Sequence, residues 1–519
     1  MSAPVGGALY EAWIGRLRAG PRRGLPGSRS DGAWTDALSF ERRVAEAETR
    51  IRAALGRAAR TGPSDADRPL VLLSARNLPS YLTAVAALWK AECVPLLADA
   101  DLSRSELGGL VSTFRPALAI LDRQVDPDGG TAVDLDKALA GLHAWVPGAP
   151  HRGDPCGDAG PPRSADGAAR TWRLSDAAIV RLTSGTTGRM RGLVVTAAQL
   201  LADARHITGS MGIEPDDTMV AAIPLGHAYG FVHVLMALVL QGTRPLLVEQ
   251  PLPALLVEAL ASPGPLVMAG TPYLFDLILT SAGARRFPGL RLCVSAGAPL
   301  PERLSRAFLD RFGLPIRTFY GASECGGIAY DRSAGGIVPD GCVGTPLDGV
   351  AVALEPVPGA EGPCERVCVR SEAVVSGYFE GQADGALRPG LFVTSDLGRI
   401  DEAGRLHLLG RIDRLINVSG RKVNPIEIEE ALRGLPGLRE AVVFGTPDHA
   451  RGEAVSACLV AGKGLTREAV LAACRARLAS YKIPRRIEFV DAIPLTSRGK
   501  TDRQALERLV GPPSTRRRS

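Results

Sequence analysis

Thr183, Ser184, Thr186 and Thr187 interleave with Gly185, Gly188 and Gly192 in the stretch 182–192, Leu-Thr-Ser-Gly-Thr-Thr-Gly-Arg-Met-Arg-Gly. Hydroxyls and glycines in this mixture suit an anion. The glycines let the backbone take positive φ and bring N–H groups close to phosphate oxygens, while the hydroxyls add donors. A plain Ser/Thr/Gly turn looks the same over four residues. Over eleven, between the β-rich runs 178–180 and 193–195, a phosphate cradle is the stronger reading. It is not a Walker loop, which ends in Gly-Lys-Ser/Thr and runs straight into a helix; here a strand is expected to follow.

Lysine is the second chemical signal. Of 61 basic residues only six are lysines, at 90, 137, 422, 463, 482 and 500. Arginine is the default cation of this chain, so a lysine at a motif position points to a need for a compact ammonium that a guanidinium fork cannot replace. The nine cysteines form no C-x-x-C pair and have no histidine at ligand spacing, which argues for reduced thiols and against structural zinc. A net charge of +6 is modest, and its one dense cluster, Arg516 to Arg518, carries no interleaved aromatic residues; no nucleic-acid partner is expected. No run reaches about 18 apolar residues and the first 23 residues have no apolar core, so neither a membrane span nor a secretory signal is read and the protein is expected in the cytoplasm.

A chain of 519 residues calls for at least two domains. After a poorly patterned start, 39–60 reads as an amphipathic helix, followed by alternating strand (69–74), helix (79–92) and strands (94–98, 117–121). The alternation predicts an α/β fold with doubly wound sheets. The segment 126–169, dense in Pro, Gly and Asp, reads as a long surface excursion. Thr196 and Gln199 form a capping box that opens the helix behind the cradle. Strands at 290–295 and 316–320 flank a helix at 301–312; from 341 to 410 short strands with glycine turns suggest a β subdomain. The remaining 411–519 read as a small α+β domain, opened by a helix with Asn424 as cap, Pro425 at its first position and Glu427 closing a capping box.

Further motifs stand in fixed order behind the loop. They are Ile223 to Gly230 (IPLGHAYG), Ser295 to Leu300 (SAGAPL), Tyr320 to Glu324 (YGASE), Thr394 to Gly398 (TSDLG), Gly410 to Asp413 (GRID), Ser419 to Val423 (SGRKV) and Pro494 to Lys500 (PLTSRGK). Each is weak alone; together they resemble the adenylate-forming superfamily of acyl-CoA synthetases, carrier-protein adenylation domains and luciferases, over about 178–506. The resemblance implies a large N-terminal AMP-binding domain (1–410) and a small mobile C-terminal lid (411–519) with a hinge near Asp413.

The resemblance also implies roles. Nucleotide binding falls to Thr183, Ser184, Gly185, Thr186, Thr187, Gly188 and Arg191, to Gly297, Ala298 and Pro299 on the adenine side, and to Tyr320, Gly321 and Ser323. Asp396 would accept from the ribose hydroxyls with Arg411 beside it. Glu324 would be the carboxylate for Mg²⁺, with Ser323 or Thr186 reaching phosphate or metal. Lys500 would steady the carboxylate against the α-phosphate. His227 would gate the acyl site, lined by Ala228, Tyr229, Gly321, Ala322 and Gly326, and Ser419, Gly420 and Arg421 would line a thiol tunnel.

Two departures sharpen the expectation. Amino-acid adenylation domains place an aspartate where this chain has Ala228, and an ammonium buried without a counter-ion costs several kcal/mol, so an α-amino acid is disfavoured. The family loop ends in Pro-Lys-Gly, whereas here it ends in Met190-Arg191-Gly192. The expected activity is therefore ligation of a non-amino-acid carboxylic acid to CoA through an acyl-adenylate, with ATP, Mg²⁺ and CoA as cofactors. Alternatives are a ligase that uses only preformed acyl-AMP, transfer to an acyl carrier protein, and a non-catalytic adenylate-binding protein. The acid and the oligomeric state are not read from the sequence.

Overall fold

A computed structural model describes residues 5–19, 25–26, 34–58, 68–124, 131–133, 139–147, 174–184, 190–333, 337, 339–357, 365–379, 385–418, 421–448, 452–462, 464–494 and 501–510. The chain is mixed α/β and divides into a larger unit, 1–351 with 369–392, and a smaller one, 352–368 with 393–519. Part of the expected β subdomain thus groups with the C-terminal residues.

In the larger unit one sheet is parallel at its centre. Ala177–Ser184, Val94–Ala98, Leu70–Ser74 and Leu118–Leu121 lie side by side in that order. The middle two strands are buried along their whole length, as strands covered on both faces must be, which is why they read as unbroken apolar runs. The helix Pro79–Lys90 begins with proline at its first turn and is almost wholly buried. A second sheet runs in the order Arg244–Leu247, Thr218–Ala221, Leu266–Gly270, Leu290–Ser295 and Ile316–Ala322, all parallel, then antiparallel through Gly326–Tyr330 and Cys342–Pro346.

Three expectations needed correction here. The unpatterned start contains a helix, Val5–Ala19, whose Leu9, Tyr10, Trp13, Ile14 and Leu17 are buried, with Trp13 edge-on to Trp89 at 6.2 Å. Gly6 belongs to that contact, because a Cβ there would lie 2.6 Å from the Trp89 carbonyl oxygen. The segment 126–169 is not wholly an excursion: Thr131–Val133 and His143–Val146 form a hairpin that extends the first sheet beyond Leu118–Leu121. The capping box at Asn424 is half right. Asn424 accepts from the Ile426 N–H and Pro425 starts the helix Pro425–Leu432, but Glu427 takes the Lys482 ammonium instead, at 2.6 Å and 2.7 Å.

The smaller unit holds residues 393–400 of the strand Leu391–Ile400, paired antiparallel with Leu406–Arg411, and a separate sheet in the order Arg421–Val423, Ile416–Val418, Gly452–Ala461 and Leu438–Asp448, with Arg486–Val490 parallel beside Gly452–Ala461. Ile428, Leu432, Val470 and Cys474 of the helices Pro425–Leu432 and Arg467–Arg477 bury against it. Among the described residues no helix is long and apolar enough to cross a membrane.

Candidate active site

The two ends of the cradle stretch belong to paired antiparallel strands. Ala177–Ser184 and Met190–Thr196 pair with Thr183 opposite Arg191 and Ser184 opposite Met190. A strand does follow the loop, and the capping box of Thr196 and Gln199 opens the next helix. Gly185, Thr186, Thr187, Gly188 and Arg189 lie outside the described residues. Gly192 plays a different part from the one expected. It does not take positive φ, and a Cβ there would lie 2.7 Å from Phe114 and 2.9 Å from Val180, so its role is close packing. The Arg191 guanidinium lies over the Tyr378 ring, 3.4 Å from its centre, on the short strand Gly377–Tyr378 that pairs with Leu193 and Val194.

Glu324 sits in the turn between Ile316–Ala322 and Gly326–Tyr330, with its carbonyl accepting from the Val375 N–H at 2.8 Å. Gly326 closes the turn at φ 72°, a left-handed conformation that favours glycine. Beneath this turn lies a buried charge pair that the motif reading missed. Arg181, in the strand leading to the cradle, donates from Nη1 to the Ser323 carbonyl at 3.2 Å. Asp203 accepts from the Gly327 N–H at 2.9 Å and fills the space that a Cβ on Gly326 would need. Burial pushes the Asp203 carboxyl up to about 6 and lowers the Arg181 guanidinium, against the attraction of Asp203 and Glu324. The signal was available: Arg181 stands alone in the apolar run Ala177 to Leu182.

His227 is the N-cap residue of a helix that starts at Ala228 and continues through a π-helical turn, Phe231–Met236. Its Nε2 lies 3.1 Å from Asp99 Oδ2. Tyr229 turns inward: its hydroxyl donates to the Val294 carbonyl at 2.9 Å and its ring stacks on Phe319 at 5.7 Å. Gly297 takes φ 85° in the exposed loop after Leu290–Ser295, beside Ala298 and Pro299. Gly321 approaches the Gly326 carbonyl so closely that a Cβ would lie 2.8 Å from its oxygen, and Tyr320, Ala322 and Ser323 are half-buried around it.

In the smaller unit, Asp396 and Arg411 are cross-strand partners. Arg411 donates from Nη1 to Asp396 Oδ1 at 2.9 Å and grips Asp413 with Nε and Nη2 at 2.9 Å and 3.1 Å. The Thr394 hydroxyl accepts from the Asp396 N–H. This is a carboxylate held in place with a guanidinium alongside, the arrangement expected for a diol acceptor. Arg421 lies over the Tyr481 ring at 4.7 Å. Ser419, Gly420 and Lys500 lie outside the described residues.

Among the described residues no three His, Cys, Asp or Glu side chains gather as a metal cage. A single carboxylate such as Glu324 fits a magnesium ion, which keeps several waters and takes its other ligands from phosphates.

Residues 42–379 match the family model of AMP-binding enzymes, and residues 427–500 match the AMP-binding enzyme C-terminal domain. A 2-succinylbenzoate–CoA ligase of Bacillus cereus is 28% identical over 448 residues, 84% of this chain and 87% of the relative. Among solved structures, ATP-bound MatB from Rhodopseudomonas palustris superposes with a TM-score of 0.74 at 23% identity, covering 96% of this chain and 98% of that one. The o-succinylbenzoate CoA synthetase of Bacillus subtilis, in complex with its acyl-adenylate intermediate, gives 0.74 at 21% identity, covering 96% and 98%. At these identities the structural likeness concerns the fold.

Proposed function

The chain belongs to the AMP-binding enzymes, and from that premise we propose that it is an ATP-dependent, AMP-forming ligase joining a carboxylic acid without an α-amino group to CoA. The observation that carries this reading is the tie between Arg181 and the Ser323 carbonyl, which fastens the strand entering the phosphate hairpin to the turn bearing Glu324. Phosphate donors and a metal carboxylate on two turns joined in this way suit attack of a carboxylate on an α-phosphate, where negative charge must be neutralised by fixed groups. Glu324 would hold Mg²⁺, which would supply positive charge to offset that of the phosphates. Thr183, Ser184 and the loop 185–188 bind the phosphates, Gly297 to Pro299 and Tyr320 border the adenine, and Asp396 accepts from the ribose hydroxyls with Arg411 keeping it oriented. Lys500 steadies the acid during adenylation. The lid 411–519 then turns about Asp413 and presents Ser419 to Arg421 to the thiol.

Ala228 supports an acid with no ammonium to neutralise. The relatives named for 2-succinylbenzoate make an aryl acid the first candidate, with the protein acting in the cytoplasm and an acyl carrier protein as the alternative thiol donor. A second reading, a ligase fed only with preformed acyl-AMP, is favoured by Arg191: its guanidinium is seated on Tyr378, where the family loop carries a lysine. The deciding experiment supplies a panel of acids with CoA and either ATP·Mg²⁺ or synthetic acyl-AMP. Thioester from both feeds establishes the complete ligase. Thioester from acyl-AMP alone establishes the second reading, and none from either overturns both.

A further inference from the structure

We propose that His227 is the general base that takes the proton of the incoming thiol, and that Asp99 is the residue that positions it and stabilises its charged form; this rests on the ligase reading above. The dyad is built by the fold. Asp99 follows the strand Val94–Ala98, and its carbonyl accepts from the Ser74 hydroxyl at 2.6 Å. Its side chain is 8% exposed and lies 3.1 Å from His227 Nε2, while 32% of the histidine side chain is open. The loop before His227 is fixed to the same sheet edge. Asn77 accepts from the Leu225 N–H at 2.8 Å and donates to the carbonyls of Ala221 and Ile223 at 2.7 Å and 3.0 Å. Gly226 lies so close to the strand end that a Cβ would be 2.6 Å from the Ala98 carbonyl oxygen. Loop and strand end are therefore held together by the Asn77 side chain and by the close approach at Gly226.

An aromatic side chain that only had to swing aside would gain nothing from a nearly buried carboxylate. A base gains two things. An ionised carboxylate only accepts, so Nε2 must carry the proton and Nδ1 is left as the acceptor. The imidazolium formed on proton uptake is then stabilised by the carboxylate behind it, as in other base–carboxylate pairs. The step balances. Nδ1 takes the proton from sulfur, the sulfur electron pair forms the C–S bond to the acyl carbon, and the acyl C–O bond to AMP breaks with its electron pair leaving on the AMP phosphate oxygen. The proton passes from Nδ1 to water as AMP departs.

The test measures the two half-reactions separately on the full-length protein and its Asp99→Asn and His227→Gln variants. Adenylate formation is followed by pyrophosphate–ATP exchange. Thioester formation is followed from 2-succinylbenzoyl-AMP, benzoyl-AMP and hexanoyl-AMP with two acceptors, N-acetylcysteamine and the more acidic trifluoroethanethiol. Asn keeps an acceptor for the Nε2 proton but removes the charge, so Asp99→Asn is expected to slow thioester formation with N-acetylcysteamine about tenfold more than adenylate formation, and His227→Gln about a hundredfold. With trifluoroethanethiol, which ionises largely unaided, the loss shrinks to a few-fold. Equal losses with both thiols, or equal losses in both half-reactions, overturn the assignment and leave the dyad a structural contact. Wild-type protein that turns over none of the three adenylates removes the ligase reading itself, a result distinct from both.

Discussion

Arg181 and Asp203 are both buried beneath the turn that carries Glu324, one holding the Ser323 carbonyl and the other the Gly327 N–H. Each charge makes the other tolerable, and each fixes one arm of the turn.

Removing one partner leaves the other uncompensated. Arg181→Met keeps most of the volume but is expected to cost about 3 kcal/mol of unfolding free energy in urea, the usual price of breaking a buried pair. Asp203→Asn added to it should recover at least half, since Asn can still accept from the Gly327 N–H. Losses that simply add in the double variant would show that the two charges do not interact.

The proposed ribose role of Asp396 predicts a loss confined to nucleotide use. Asp396→Ala removes a charged acceptor that Arg411 keeps in place, so kcat/KM for ATP should fall by roughly 10–100-fold, equivalent to about 1.5–3 kcal/mol, with the melting temperature little changed. An unchanged ATP dependence would take Asp396 out of the nucleotide site.

Burial holds His233 neutral down to about pH 3, with its Nδ1–H donating to the Tyr229 carbonyl, whereas in the unfolded chain it takes up its proton near 6.5. Between those values the unfolded state binds the extra proton. The stability from neutral His233 is complete above pH 6.5 and declines as pH falls toward 3. Unfolding free energies of wild type and His233→Phe at pH 8 and pH 5 should therefore diverge by about 2 kcal/mol, the wild type losing more at pH 5. A difference constant with pH would contradict this.

Gly192→Ala tests packing against anion binding. The added methyl meets Phe114 and Val180, so a destabilisation of about 1–3 kcal/mol is expected. The KM for ATP of the folded fraction should stay near wild type; a raised KM with full stability would return Gly192 to the phosphate site.

Much of the architecture was legible because its signals are local. Apolar runs of four to six residues marked the central strands, and Thr196 with Gln199 formed the capping box they announced. The helix Val5–Ala19 escaped because Gly6, which serves its contact with Trp89, and the further glycines Gly7 and Gly15 interrupt its apolar pattern. Glu427 was assigned to a cap and found on Lys482, since sequence spacing cannot tell which of two partners a carboxylate will meet.

By itself the sequence determined the family and the order of its parts, because hydroxyls, glycines, Glu324, Asp396 and a rare lysine stand in motifs that follow one another in a fixed order. It also determined that a strand follows the phosphate loop, from β-rich residues and a capping box a few positions apart. Only tertiary structure decided that Arg181 reaches the Ser323 carbonyl, that Asp99 faces His227 across 128 residues of chain, and that Arg191 lies on Tyr378. These pairings depend on which strands become neighbours and on how closely glycines let backbones approach, and neither is encoded in the residues immediately around them.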